Sequence, residues 1–377
     1  MRKVAVFFGG KSCENEISVL TGVFVARLLQ GDRYDVLPVY IHTDGRAYTS
    51  PKMRDLNVFK TRRTDDFLRL VFMDGVAYSF ACEKKKLKRI ARIDAAINCC
   101  HGGLGEGGGV SALCEWNGVP LASPDLTASG VFMDKYLTKV VMKGLGIPVL
   151  EYIRVNERDY EKRGAFLLKT IETRLKFPVV IKPAHLGSSI GIMLAKNEDE
   201  AKTAIESAFH LDDRVIIERY LENKRDVNCA AYMLEGEIVV SEPEEAFGEG
   251  IYSFEEKYVK RQTDGGNRRG GRSTKDGGRY ALSKEIRDKI RAYTKTVYKR
   301  MDLRGAVRLD FLIADGEIYL CEVNTVPGSL AYYLFCERVT DARDFFSDLI
   351  EEAVRGVGQG KKILSTGILQ NVQWQGK

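Results

Sequence analysis

Residues 306–328, AVRLDFLIADGEIYLCEVNTVPG, are the stretch on which the reading of this chain turns. Two runs rich in Val, Leu, Phe, Ile and Tyr flank Ala314-Asp315-Gly316, the pattern of a β-hairpin. One alternating set (Val307, Leu309, Phe311, Ile313; Tyr319, Cys321, Val323) is nearly all apolar, and the other carries Arg308, Asp310, Glu322 and Asn324. A buried face does not tolerate two carboxylates, an arginine and an amide without a counter-ion or ligand. Whether the four share a face depends on the turn. A two-residue Asp-Gly turn pairs Asp310 with Cys321 and sends Asp310 and Glu322 to opposite faces. A three-residue loop with Gly316 left-handed pairs Arg308 with Glu322 and gathers all four. The second is expected, with Asp310, Glu322 and Asn324 as hard oxygen ligands for magnesium. A solvated outer face with one incidental ion pair is the plainer alternative, and the Asn-Thr-Val-Pro-Gly that follows at once argues against it.

A chain of 377 residues is enough for two or three domains. Net charge is only +6 and mostly interspersed, so no whole-chain argument for nucleic acid follows. The start, MRKVAVFFGG, resembles a signal peptide, but its apolar run is too short and Gly-Gly-Lys breaks it without a cleavage pattern. No later segment approaches a membrane span. Eight cysteines lie in apolar patterns without metal-ligand spacing. They are expected to be buried free thiols of a cytoplasmic protein.

Up to about residue 125 the chain alternates short apolar strands (3–8, 34–41, 95–100, 119–122) with helical patterns (16–29, 109–117), which implies a parallel α/β domain. Residues 44–75 read as polar and turn-rich, 76–82 as a hairpin strand, and the basic run 83–92 as a solvated turn or helix. A long helical pattern follows over 129–145, then strands at 177–182 and 190–194 around a glycine loop. After these come a helix at 199–209, strands at 214–220, 226–234 and 237–241, and helices at 283–301 and 341–357. Between them, VKRQTDGGNRRGGRSTKDGGR (259–279) reads as a mobile loop.

Two glycine motifs mislead. Gly9-Gly-Lys-Ser12 resembles the end of a P-loop, whose first glycine falls on Ala5. Gly103-Leu-Gly105-Glu-Gly-Gly108 fits a dinucleotide fingerprint, but a histidine and a glutamate (His101, Glu106) suit substrate handling better. The informative loop is Lys182-Pro-Ala-His-Leu-Gly187-Ser188-Ser189-Ile-Gly191. A lysine ends a strand, and glycines, N–H groups and hydroxyls then close over a phosphate-bearing ligand.

HGGLGEGG, MDKYLTK, IKPAHLGSSIGI, EKY, RLDF and EVNTVPG, in this order, resemble the D-alanine–D-alanine ligases of the ATP-grasp superfamily over roughly residues 3 to 355. The resemblance implies an N-terminal parallel α/β domain (1–125), a central ATP-grasp subdomain with the glycine loop (126–215) and a C-terminal one with lid and metal site (216–357). Residues 358–377 would be a tail. It implies ATP as co-substrate, two magnesium (or manganese) ions, a D-alanyl phosphate intermediate, a role in peptidoglycan precursor synthesis, no nucleic acid or membrane partner, and a possible homodimer. It assigns Glu16 to the ammonium of the first D-alanine and His101 to the substrate site. Lys135, Lys182, Ser189 and Lys257 would hold ATP phosphates, Glu218 and Leu221 the adenine hinge, and Asp226 the ribose. Ser188, Tyr258 and Glu16 would tie lid, glycine loop and substrate loop together. Arg308 is then the cation for the tetrahedral oxyanion, and segment 247–280 the lid that excludes water.

Two departures stand out. After Pro327-Gly328 the chain reads Ser-Leu-Ala-Tyr-Tyr333-Leu334, with Tyr333 where the family carries the serine that helps hold the second substrate's carboxylate. Acceptors other than D-alanine (D-serine, D-lactate or another amino acid) therefore form the alternative. The lid also carries RRGGR (268–272) in place of Pro-Ala, which raises a nucleic-acid-binding segment as a less favoured reading.

Overall fold

The first apolar run forms β1 (Arg2–Gly9), whose residues Val4 to Phe8 are 2% exposed or less, as a strand covered on both faces requires. In this computed structural model residues 1–61, 63–81, 86–246 and 282–356 are described. The expected lid, with Lys257 and Tyr258, and the tail from residue 358 lie outside the described residues.

β1 runs parallel to β2 (Tyr34–Ile41) and β7 (Ala95–Asn98), and β7 to β8 (Leu121–Ala122). Helices α1 (Asn15–Leu29) and α2 (Val110–Trp116) accompany them. The segment read as turns supplies β3 (Ala47–Thr49) and β4 (Leu68–Met73), which extend the sheet antiparallel together with the expected hairpin strand β5 (Val76–Ala81) and with β6 (Lys86–Arg92). The sheet order is β6-β5-β4-β3-β2-β1-β7-β8. The basic run expected as turn or helix is thus an edge strand. Pairing with β5 satisfies one side of its backbone, and exposed Lys86, Lys88 and Arg89 discourage another chain from adding to the other.

A second sheet, ordered β11-β10-β12-β9, contains β9 (Tyr152–Asn156), β10 (Val179–Pro183), β11 (Met193–Ala195) and β12 (Arg214–Arg219). Helices α5 (Glu157–Arg174) and α6 (Glu198–Phe209) cover one of its faces, packing Leu168, Ile171, Ala204 and Ile205 against Val179, Ile181, Val215 and Ile217. β9 and α5 fall in a stretch the sequence reading left unassigned. β12 runs through the expected 215/216 boundary and belongs whole to this sheet.

The third sheet joins β13 (Arg225–Leu234), β14 (Glu237–Val240), β15 (Glu244–Ala246), β16 (Val307–Ala314) and β17 (Glu317–Asn324). Helices α3 (Leu126–Met133), α4 (Lys135–Gly144) and α7 (Lys284–Arg300) lie against Val227, Cys229, Leu309, Phe311 and Val323 on its covered face. The single helix expected over 129–145 is broken at Asp134 (φ −95°, ψ 113°), whose carboxylate caps α4 through the Tyr136 and Leu137 N–H groups. The final helix α8 (Ala342–Gly356) returns to the first sheet and buries Phe345, Phe346, Leu349 and Ile350 among Val4, Val6, Phe8 and Leu29. Each such side chain contributes roughly 1.5–3 kcal/mol of burial. Among the described residues no helix is long and apolar enough to cross a membrane. Seven cysteines there are free thiols; Cys13 is exposed, against expectation, while Cys99, Cys100, Cys114 and Cys229 are buried.

The decisive hairpin corrects its own prediction. Ala314 pairs with Glu317, so the turn has two central residues, Asp315 and Gly316, both left-handed (φ 52° and 79°). That is the primed turn favoured between twisted strands. The register then shifts between Asp310 and Phe311: Phe311 faces Leu320, but Asp310 faces Glu322 and Arg308 faces Asn324. Cys321 is the extra residue of a β-bulge. The four polar residues do share one face, gathered by the bulge rather than by a three-residue loop.

Candidate active site

On β16, Arg308 grips the carboxylate of Asp310 with a two-pronged fork, Nε to Oδ1 at 2.7 Å and Nη2 to Oδ2 at 2.8 Å. Its Nη1 donates to the Tyr333 hydroxyl at 3.2 Å. Asn324 donates Nδ2 to Asp310 Oδ2 at 3.0 Å, which turns its carbonyl oxygen away from Asp310. Burial and the neighbouring Glu322 push the Asp310 carboxyl up, against the pull of Arg308. Two carboxylates facing each other across adjacent strands repel unless a proton or cation stands between them. Two carboxylates and an amide oxygen on one face are hard donors, so these residues fit a magnesium-type ion.

The uncovered face of the second sheet looks onto this row. Lys182, at the end of β10, places Nζ 3.8 Å from Cys321 Sγ, so the bulged residue touches the opposite wall. Lys182 also pairs with Glu218 on β12, and Lys139, from the second turn of α4, pairs with the other oxygen of the same carboxylate. Glu218 is 2% and Lys139 1% exposed. Burial alone would raise Glu218, but the two ammonium groups hold it down at about 2. The Glu218 side chain, expected at the adenine hinge, is therefore committed to lysines, and its residue pairs with Val180 and Tyr152 on the flanking strands.

The glycine loop bends through two left-handed serines, Ser188 (φ 52°) and Ser189 (φ 61°). The Ser188 hydroxyl donates to Glu14, not to the expected Glu16. Glu16 lies in the exposed first turn of α1, whereas Glu14 precedes the helix and turns inward. A Cβ on Gly187 would stand 2.6 Å from Glu14 Oε2, so a larger residue there would push this carboxylate aside. Lys135, first residue of α4, donates Nζ to the Leu186 carbonyl at the loop's other side. Of the residues expected at the phosphates, Lys135 thus reaches the glycine loop that carries Ser189, while Lys182, at the end of β10, is held by Glu218. Asp226 stands in register with Leu312, on the same face as Asp310, and pairs with Lys224. Leu221 lies half-buried just beyond β12.

His101 is 4% exposed and both ring nitrogens are occupied. Nδ1 lies 2.8 Å from the Val326 carbonyl and must donate to it, so Nε2, 2.9 Å from Thr21 Oγ1, accepts. Burial, with Arg308 nearby, lowers its pKa to about 4 and keeps it neutral. Glu106 accepts from the Gly102 N–H at 2.7 Å and the Val326 N–H at 3.2 Å, and burial beside Glu14 raises it to about 7. These bonds clamp the Thr325-Val326-Pro327 turn, after which Ser329, Leu330 and Ala331 are all left-handed (φ 50–54°). Such a run costs roughly 1–2 kcal/mol per residue. Burial of Leu330, Ala331 and Leu334, the last two against Ala230, offsets it and aims Tyr333 at Arg308.

The sequence reading missed two members of this cluster. Lys139 stands four residues after Lys135 in MDKYLTK, one helical turn along the same face. Glu14 stands two before Glu16, and only the break in helix geometry ahead of Asn15 distinguishes them.

Residues 3–124 match the family described as D-ala D-ala ligase N-terminus, and residues 141–355 match D-ala D-ala ligase C-terminus. A D-alanine--D-alanine ligase of Thermosipho melanesiensis is 32% identical over 341 residues, 89% of each chain. One from Campylobacter jejuni is 32% identical over 338 residues, 88% of this chain and 89% of that one. Among solved structures, the D-Alanine-D-Alanine Ligase of Helicobacter pylori is 26% identical with a TM-score of 0.75, covering 96% of this chain and all of the other. The VanG D-Ala:D-Ser Ligase of Enterococcus faecalis is 25% identical with a TM-score of 0.71, covering 94% and 99%. On its matched domains, its fold and these relatives, the chain belongs to the D-alanine–D-alanine ligase family.

Proposed function

We propose that the protein is an ATP-dependent, ADP-forming ligase that joins two D-alanines, supplying the dipeptide for peptidoglycan precursors. The observation that carries the reading is the approach of Lys182 on one wall to the Cys321–Glu322 bulge on the other. A cation and a pair of carboxylates that meet across a cleft suit a triphosphate with its metal. Magnesium or manganese, two ions in this proposal, would be held by Asp310, Glu322 and Asn324 and would neutralise phosphate charge.

Lys135 and Lys182 hold the phosphates, assisted by Ser189 and, outside the described residues, Lys257. The first D-alanine's carboxylate oxygen attacks the γ-phosphorus; the bond from that phosphorus to the β–γ bridging oxygen breaks and ADP leaves. Glu14, in place of Glu16, receives the ammonium of that D-alanine. The amine of the second D-alanine then attacks the acyl carbon, loses a proton to form the amide, and expels phosphate. Arg308 holds the oxyanion of the tetrahedral step. His101 and Glu106 act on the substrates through the turn they clamp, while Tyr333 and Leu334 border the second substrate.

A second reading differs in the acceptor. Tyr333 takes a hydrogen bond from Arg308 where the family carries a serine. This favours testing D-serine and D-lactate beside D-alanine. A cytoplasmic location and a homodimeric state belong to the same proposal. The deciding assay is release of ADP and phosphate on addition of D-alanine, with dipeptide identified by mass. Release with another acceptor alone selects the second reading, and no release with any acceptor refutes both. Arg308→Ala is expected to leave ATP binding within a few-fold and to cut dipeptide formation by roughly 10²–10³.

A further inference from the structure

His185 sits at the root of the glycine loop, between Lys182 and Ser188, and no step above uses it. Its ring is held at both ends. Nδ1 lies 3.0 Å from each oxygen of Asp212, and Nε2 lies 3.3 Å from Asp134 Oδ2. Ionised carboxylates only accept, so both nitrogens donate and the ring is an imidazolium. The His185 main-chain N–H adds a bond to Asp212 Oδ2 at 2.7 Å.

The other charges around the ring complete a balanced cluster. Arg214 Nη1 lies 3.3 Å from Asp134 Oδ2, so two cations face two buried carboxylates. Asp213 stands at the exposed side, with Arg214 Nε 3.7 Å away. His185, Asp212 and Asp213 are close enough to surround a cation, but both ring nitrogens already point at carboxylates.

What the cluster joins gives it meaning. Asp134 is the cap of α4, and Lys135 beside it donates its main-chain N–H to the Ala184 carbonyl at 3.1 Å. The same few residues therefore set the distance between the start of α4 and the root of the loop. We infer that His185 is a positioning residue for the nucleotide: its imidazolium pins the glycine loop to α4, so that Lys135, Lys182 and the loop N–H groups stand ready for the triphosphate. Preorganisation of this kind raises affinity by removing an ordering cost from the binding step. The inference rests on the proposed ATP site. The two carboxylates raise His185 to about 9, so the pin is charged at neutral pH and is lost as pH rises through that value.

The test measures binding of a non-hydrolysable ATP analogue by the full chain from pH 7 to 10, for wild type, His185→Asn and His185→Arg. At pH 7.5 the Asn variant is expected to bind about tenfold more weakly than wild type, with little change as pH rises. Wild type should fall toward the Asn value above pH 9, while the Arg variant, charged throughout, should stay level. Equal affinity of wild type and Asn variant at pH 7.5, or the same alkaline loss in the Arg variant as in wild type, overturns the inference. Should the Asn variant not fold, the comparison of wild type with Arg still decides. A wild type that binds no nucleotide at any pH would instead refute the ATP site itself.

Discussion

The Ser188 hydroxyl donates a hydrogen bond to the Glu14 carboxylate across 174 residues of chain. The bond ties the glycine loop of the second sheet to the loop that opens α1 under the first. Of two glutamates that the sequence presents almost side by side, it engages Glu14.

Glu14→Gln is expected to lower kcat/KM for the first D-alanine by about 10- to 100-fold, the loss of one or two hydrogen bonds to a charged group. Glu16→Gln should stay within about threefold, since Glu16 lies on the exposed first turn of α1. Initial rates of ADP release against D-alanine concentration separate them. A larger loss in the Glu16 variant would reverse the assignment.

Glu218 holds two lysines, and its removal leaves both ammonium groups facing each other in the protein. Glu218→Ala is therefore expected to destabilise by about 3–5 kcal/mol, the usual cost of stripping one partner from a buried ion pair. Lys139→Met should cost less, because Lys182 still neutralises the carboxylate. Chemical denaturation of both variants tests the order. Since the folded Glu218 sits at about 2, below its ordinary value, the clamp's contribution is present above about pH 4.5 and fades as pH falls toward 2.

Asp310→Asn and Glu322→Gln should each weaken manganese binding by roughly 10- to 100-fold. Cys321→Ala, next to Glu322, should change it by less than about threefold, because its thiol lies against Lys182. Paramagnetic titration of free manganese reads this directly. Removal of the metal with a chelator should stop turnover, and magnesium should restore it.

His101 supplies a pH signature. Its folded pKa, about 4, is depressed below the ordinary value, so the unfolded chain binds the extra proton first. Its contribution is complete above about pH 6.5 and is lost as pH falls toward 4. Glu106, raised to about 7, has the opposite sign and loses stability as pH rises from about 4.5. The two slopes oppose each other in wild type. Melting temperature should therefore fall with rising pH in His101→Gln and fall with decreasing pH in Glu106→Gln. Parallel slopes in both variants would contradict the assigned burial.

Most of the strands and helices were legible because they follow local rules. β2 was read to the residue from its apolar run, and α6 and α7 to within one residue at each end. Strand β6 was not, because a lysine-rich run has no strand pattern of its own and acquires one only by pairing with β5. The split between α3 and α4 was missed for a related reason. Apolar periodicity continues through Asp134, and only the capping geometry reveals the break.

For the site, the residue types and their order along the chain were sufficient to name the ligase family and to single out the lysines and hard-oxygen side chains that the proposed function uses. Those features depend on chemistry that must be present wherever the chain places it. What tertiary structure alone decided was alignment. The turn between β16 and β17 has two central residues, and a bulge at Cys321 brings Glu322 opposite Asp310. Glu14 rather than Glu16 meets Ser188, and Lys139 joins Lys182 on Glu218. Side chains alternate every residue in a strand and turn by about 100° in a helix, so a shift of one or two positions reverses direction. Such shifts are settled by packing between segments far apart in the chain, which no local pattern records.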